Sequence, residues 1–215
     1  MAITELPDLI EKGLQQAVEL MAVAANNSFR FKDLNSLKII VIGIEEMESI
    51  AEYCFSLGDM SPLAARDGRH LIQLIKEPCR LMILGDKRKS PFNYDCGACG
   101  YRTCKEMNKA EKVESLTANG PSCQFRNLNL NIATNAAASL AHRLGLHCRV
   151  FSTLAFAALS LEIIEDVDIV TSVSVSAANK NPYFDRHEFW TQEHWDETFD
   201  NEFPTFKRGF IGAVE

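Results

Sequence analysis

Four cysteines near the middle of the chain, Cys96, Cys99, Cys104 and Cys123, are spaced C-x2-C-x4-C-x18-C. Thiolates that must meet in space tie one tight loop to a later segment, so this pattern restricts the fold more than any other feature. Three ligands from one loop and a fourth returning from further along can hold a [4Fe–4S] cluster. Gly97 and Gly100 stand where a loop wrapped around such a group needs unusual backbone angles and bare N–H groups turned toward sulfur. Zinc suits the same residue types, although its sites usually pair two C-x2-C units and only one is present here. Disulfide bonding is a third reading.

A chain of 215 residues that is 47% hydrophobic can build one substantial core, with room for a small insertion. The formal charge of −7 argues against nucleic acid, because neutralising phosphates needs a concentrated basic face. Apolar runs such as 39–42 and 154–159 are too short to span a bilayer, so membrane insertion is not expected. The segment Met1 to Pro7 has neither a basic nor an apolar signal region, and cytoplasmic residence is expected. Seven cysteines, an odd number, fit a reducing compartment where thiolates serve metals.

Leu6, Ile10, Leu14, Ala17, Val18, Met21 and Ala24 recur at helical spacing and predict a first amphipathic helix over 5–24. The apolar run 37–43, ending in Gly43, predicts a buried strand, followed by helices over 45–57 and 62–76. A second strand follows at 79–85. Strand, helices, strand implies a parallel pair with a crossover. Residues 90–123 then interrupt the α/β rhythm with the cysteines and one short polar helix, predicted from Lys105 to Leu116. The spacing predicts a small-faced helix over 127–144, a strand at 147–152, a helix over 153–161 and a strand at 167–175. In that last strand, alternation of polar and apolar residues suggests half-exposure. The reading is an α/β (α+β) frame, residues 1–89 and 124–186, with a cluster-binding insertion at 90–123. Residues 187–215 form a tail rich in aromatics and acids, expected to pack on its own domain or on a partner subunit.

Cys54, Cys79 and Cys148 lie among apolar neighbours and read as small buried hydrophobes. The histidines His70, His142, His147, His187 and His194 show no metal-type spacing, none neighbours a plausible nucleophile, and all read as structural. Lys87, Arg88 and Lys89 before the cysteines, with Arg102, Lys105 and Lys109 after them, read first as a solvated basic loop. Alternatively they offset the cluster's negative charge and steer an acidic partner.

The stretch Asp95 to Cys104, with its Cys-Gly-x-Cys-Gly-Tyr-x-x-Cys loop, resembles the cluster module of the ferredoxin-like subunit of the Rnf complex and of corrinoid iron–sulfur proteins. The resemblance implies that Cys96, Cys99, Cys104 and Cys123 ligate a [4Fe–4S] cluster. Gly120 to Arg126 and Asn181 to Arg186 are similar to stretches of an uncharacterised prokaryotic family containing a ferredoxin domain. The first helix, the strand after it and residues 127–186 resemble the frame of nitroreductase-like flavoproteins, which implies an α+β homodimer with FMN at the subunit interface. The chain departs from that pattern in having no arginine in residues 1–29, where such proteins carry a phosphate-binding motif. Lys180 and Arg186 fall near the place of a late phosphate contact and receive no role.

Two functions follow as expectations. One is a redox protein that passes single electrons to a protein partner through its cluster. The other is a flavin-dependent oxidoreductase fed by the cluster. A purely structural iron–sulfur or zinc site is the third possibility.

Overall fold

The structure, a computed structural model, describes residues 4–32, 36–58, 60–114 and 119–183. The chain divides into two compact units, Met1–Asn179 and Lys180–Glu215. In the second unit residues 180–183 are described, and there the Tyr183 amide donates to Asn181 Oδ1 at 3.0 Å. The tail expected over 187–215 and Arg186 lie outside the described residues.

The first unit mixes helices with a sheet. In chain order its elements are α1 (Leu6–Asn26), β1 (Lys38–Ile42), α2 (Ile44–Ser56), α3 (Pro62–Leu74), β2 (Cys79–Asp86), α4 (Cys104–Lys109), β3 (Val113–Glu114), β4 (Asn119–Gly120), α5 (Gln124–Arg143), β5 (His147–Phe151), α6 (Thr153–Ser160) and β6 (Ile169–Ser176). Pro7 opens α1, where its missing N–H removes no helical bond. Ser61 caps α3 by accepting from the Ala64 amide. Gly145, at φ +77°, takes the left-handed position just past α5.

Four strands form one sheet in the order β1-β2-β6-β5, and every neighbouring pair is antiparallel. The parallel pair expected for β1 and β2 is therefore incorrect. Two helices, not one, separate these strands: α2 carries the chain back, α3 returns it, and β2 must then run opposite to β1. Gly68 lets the two helices meet, because a Cβ there would lie 2.9 Å from Cys54 Cβ. Antiparallel registers on both sides of β6 make β2 and β5 parallel to each other, with β6 between them.

Helices cover both faces of the sheet. On one, Leu14, Val18, Met21 and Ala25 of α1 and Ala133, Ala137 and Ala141 of α5 bury Met82, Leu84, Val173 and Val175. The alanines bring α1 close to α5, as the small stripe requires. Fully burying a side chain such as Leu14 or Met21 contributes about 1.5–3 kcal/mol. On the other face α2, α3 and α6 pack together, and α6 lies on β6.

Strand β6 corrects a second expectation. All eight of its residues are buried, Ser172, Ser174 and Ser176 included. Their alternation with valine marks a central strand whose small polar side chains find protein partners rather than water. Ser172 Oγ donates to the Phe151 carbonyl at 2.7 Å, and Ser176 Oγ accepts from the Ala178 amide at 3.1 Å.

The short polar helix also ends earlier than predicted. α4 stops at Lys109, Ala110 is extended, and residues 113–114 pair with 119–120 as a small hairpin. The whole cysteine segment thus lies between the end of β2 and the start of α5.

Candidate metal centre

The loop after β2 turns sharply. Within eight positions Asn93, Asp95, Gly97 and Gly100 all have positive φ, and the Gly100 amide closes a turn onto the Gly97 carbonyl at 2.9 Å. Glycine takes this conformation without strain, whereas Asp95 needs compensation. Its carboxylate supplies that by accepting from the Cys104 amide at 2.7 Å, which ties the residue before Cys96 to the third cysteine. Thr103 and Glu106 form a reciprocal capping box that starts α4 at Cys104. Further on, Cys123 is the N-cap residue of α5.

One cavity is lined by all four spaced cysteines together with Ser90, Phe92, Tyr94, Gly97, Tyr101 and Phe125, among others. Cys104 and Cys123 are buried, Cys99 is half-buried and Cys96 is exposed, so the cavity opens toward solvent on the Cys96 side. An aromatic wall backs it: Phe92 stacks on Tyr94 at 5.3 Å, and Phe125 meets Phe92, Tyr94 and Phe31 at 5.6, 5.4 and 4.9 Å between ring centroids. Such a wall keeps water from the buried sulfurs. Among the described residues, no three Cys, His, Asp or Glu side chains converge as a set for a single metal ion. All seven cysteines are free of disulfide bonds. A donor set of four thiols around one apolar-backed cavity fits an iron–sulfur cluster chemically.

Two buried arginines fasten this loop to the sheet. Arg88 Nη1 donates to the Pro121 carbonyl at 3.1 Å and Nη2 to the Ala110 carbonyl at 2.9 Å. Its amide donates to Asp168 Oδ2 at 3.0 Å, and its carbonyl accepts the Cys123 amide at 2.9 Å. Arg126 Nη1 pairs with Asp86 Oδ1 at 2.7 Å and also donates to the Ser36 hydroxyl, while its Nε reaches the Lys89 carbonyl at 2.9 Å. The basic run expected to be solvated is thus split: Lys87 and Lys89 are exposed, but Arg88 is only 5% exposed. A guanidinium with several carbonyl acceptors can be buried where an ammonium would not. Arg102, Lys105 and Lys109 lie on the exposed side.

The other three cysteines are buried. Burial pushes the Cys54 thiol up to about 12, helped by the Asp67 carboxylate, and the Cys79 thiol up to about 11, helped by Glu77. Burial also raises Cys148. One contact escaped the sequence reading: Cys148 Sγ lies 3.3 Å from His142 Nε2. Six positions apart, across the turn from α5 into β5, the two fit no metal or catalytic spacing and left no signal. Lys180 belongs to the second unit and is exposed.

Fold and loop together define an α/β protein with a cysteine-lined cavity mounted at the end of a sheet strand. The chain belongs to the family described as "uncharacterized protein containing a ferredoxin domain", which matches residues 119–186, a span that includes Cys123. It is 31% identical over 180 residues to an uncharacterised protein of Archaeoglobus fulgidus, covering 83% of this chain and 95% of that one. Solved structures similar to the chain include nitroreductase A from Vibrio parahaemolyticus, at 10% identity over 93% of this chain and 81% of that one with a TM-score of 0.49. Another is the NADPH:FMN oxidoreductase from Vibrio harveyi complexed with NAD+, at 11% identity over 100% and 84% with a TM-score of 0.46.

Proposed function

We propose that the chain is a redox protein that transfers single electrons to and from a protein partner, with Cys96, Cys99, Cys104 and Cys123 holding a [4Fe–4S] cluster. One observation carries the reading: the four spaced thiols line one cavity, whereas the three remaining thiols are buried elsewhere with no opening to it. Membership of a ferredoxin-domain family supports it. When bound, such a cluster supplies one-electron exchange.

The protein's own residues bind, shield and charge-balance the site. Phe92, Tyr94 and Phe125 keep water from its inner side. Cys96, at the exposed edge, marks where a partner would approach. Exposed Lys87, Lys89, Arg102, Lys105 and Lys109 supply cationic charge on the loop, which favours an acidic partner. The exposed apolar residues Leu6, Leu9, Leu20 and Val23 of α1 support a homodimer with a second copy of the chain, tested by sedimentation.

Anaerobic purification with iron, zinc and flavin quantified together tests the reading. About four irons per chain and an EPR signal on reduction are expected. Substituting any of Cys96, Cys99, Cys104 or Cys123 by Ser should lower the iron content, while Cys54→Ala, Cys79→Ala and Cys148→Ala should not. Iron-free protein after anaerobic reconstitution would overturn the proposal. Zinc in place of iron would make the site structural, and stoichiometric flavin would make the chain a flavoenzyme.

A further inference from the structure

Ser90 lies four residues beyond the last pair of the β2 ladder and is buried at 5% exposure. Its Oγ is 3.3 Å from Cys104 Sγ. A serine hydroxyl has one hydrogen to give and lone pairs to receive with. Here one lone pair is engaged, because the Phe92 amide donates to Ser90 Oγ at 3.3 Å. The hydrogen is free to point at the sulfur.

Ser90 is also held from behind. Its amide donates to Asn108 Oδ1, and Asn108 Nδ2 donates back to the Ser90 carbonyl, both at 2.7 Å. Asn108 belongs to α4, the helix that Cys104 opens. One side chain thus fixes the spacing between the hydroxyl and the sulfur it faces. Phe92 and Met107, at 5% and 0% exposure, pack in the same cluster as Cys123 and close off the inner side of the loop. A hydrogen bond in so dry a place acts more strongly than one in water.

We propose that Ser90 tunes the reduction potential of the site by donating its hydroxyl hydrogen to the Cys104 thiolate. The inference rests on the cluster reading above. Negative charge on the ligating sulfurs grows when an electron is added, and a donor aimed at one of them favours the reduced state, which raises the potential. Ser90 acts through Cys104 and is a positioning residue, not a ligand.

The test compares anaerobically purified wild-type protein with Ser90→Ala and Ser90→Thr. Iron per chain, the midpoint potential from a dithionite titration followed by EPR, and the Fe–S stretching bands in H2O and D2O are read on each. Ser90→Ala that keeps its iron should titrate at a more negative potential, with Ser90→Thr returning toward wild type because it retains the hydroxyl. The wild-type bands should shift in D2O, and that shift should shrink in Ser90→Ala. An unchanged potential in iron-replete Ser90→Ala overturns the inference and leaves the cluster reading intact. If Ser90→Ala loses its iron, Ser90→Thr decides: a potential and a D2O shift like those of wild type support the bond, and a potential unlike it overturns the inference. Wild-type protein that holds no iron sinks the cluster reading and this inference with it.

Discussion

The amide of Cys123 donates to the carbonyl of Arg88 at 2.9 Å, so the fourth cysteine hangs from the residue two places past the end of β2. The Arg88 side chain strengthens that attachment by holding Pro121, just before Cys123, and Ala110, just after α4. The first three cysteines and the fourth are therefore set against each other by one buried arginine. Arg88→Ala leaves two carbonyls without their donor, each at a cost of about 1–3 kcal/mol. Lower urea stability and lower iron content are expected, and Arg88→Lys should rescue little because one ammonium cannot span both acceptors. Full iron retention in Arg88→Ala would refute this role.

The Asp86–Arg126 pair is nearly buried on both sides, at 4% and 8% side-chain exposure. Removing one partner strands the other charge. Arg126→Met should therefore cost about 3–5 kcal/mol in equilibrium unfolding. Adding Asp86→Asn to that variant should restore part of the loss, since the stranded carboxylate is then gone. A double variant no more stable than the single one would argue that hydrogen bonds to Ser36 and Lys89, not charge, dominate the site.

High pH should weaken the fold through two thiols outside the cavity. Cys54 is pushed up from 9.0 to about 12 and Cys79 to about 11, both chiefly by burial. Above pH 9 the unfolded chain gives up these protons while the folded chain keeps them, so the unfolded state binds fewer protons and stability falls as pH rises. The loss should run from pH 9 toward 11 for Cys79 and toward 12 for Cys54. Chemical denaturation of Cys54→Ala and Cys79→Ala across this range should show a shallower slope for each. Equal slopes in all three proteins would contradict the sign or the source.

Gly85 lies near the end of β2, a middle strand of the sheet, paired with Val170 in β6 and Lys38 in β1. A Cβ at Gly85 would lie 2.8 Å from both γ-carbons of Val167. Gly85→Ala should cost about 1–3 kcal/mol by overpacking, with Val167→Ala recovering part of it in the double variant. Thermal or urea unfolding reads this directly.

Much of the frame was legible from periodicity. The stripe of α1 and the alanines of α5 carry a 3.6-residue repeat, and both helices stand where that repeat puts them. Sheet direction was not legible, because strand hydrophobicity at 39–42 and 81–84 is the same whether neighbours run parallel or antiparallel. The serines of β6 misled for a related reason: alternation signals a wet face only if no helix covers it, and α6 covers this one. At the candidate site, spacing picked out the four cysteines that share the cavity. It could not single out Arg88 from its lysine neighbours, nor Ser90 from any other serine, because burial and hydrogen-bond direction belong to the fold.

The hold of Arg88 on Pro121, Ala110 and Cys123 bears on the order of biosynthesis. In a zinc finger the metal organises the chain, and the apoprotein is unfolded. Here the segment that bears the thiols is hung from an antiparallel sheet by bonds that need no metal. The chain should thus reach its folded shape first and receive iron afterwards, so that iron starvation would accumulate a folded, refillable apoprotein instead of a degraded one.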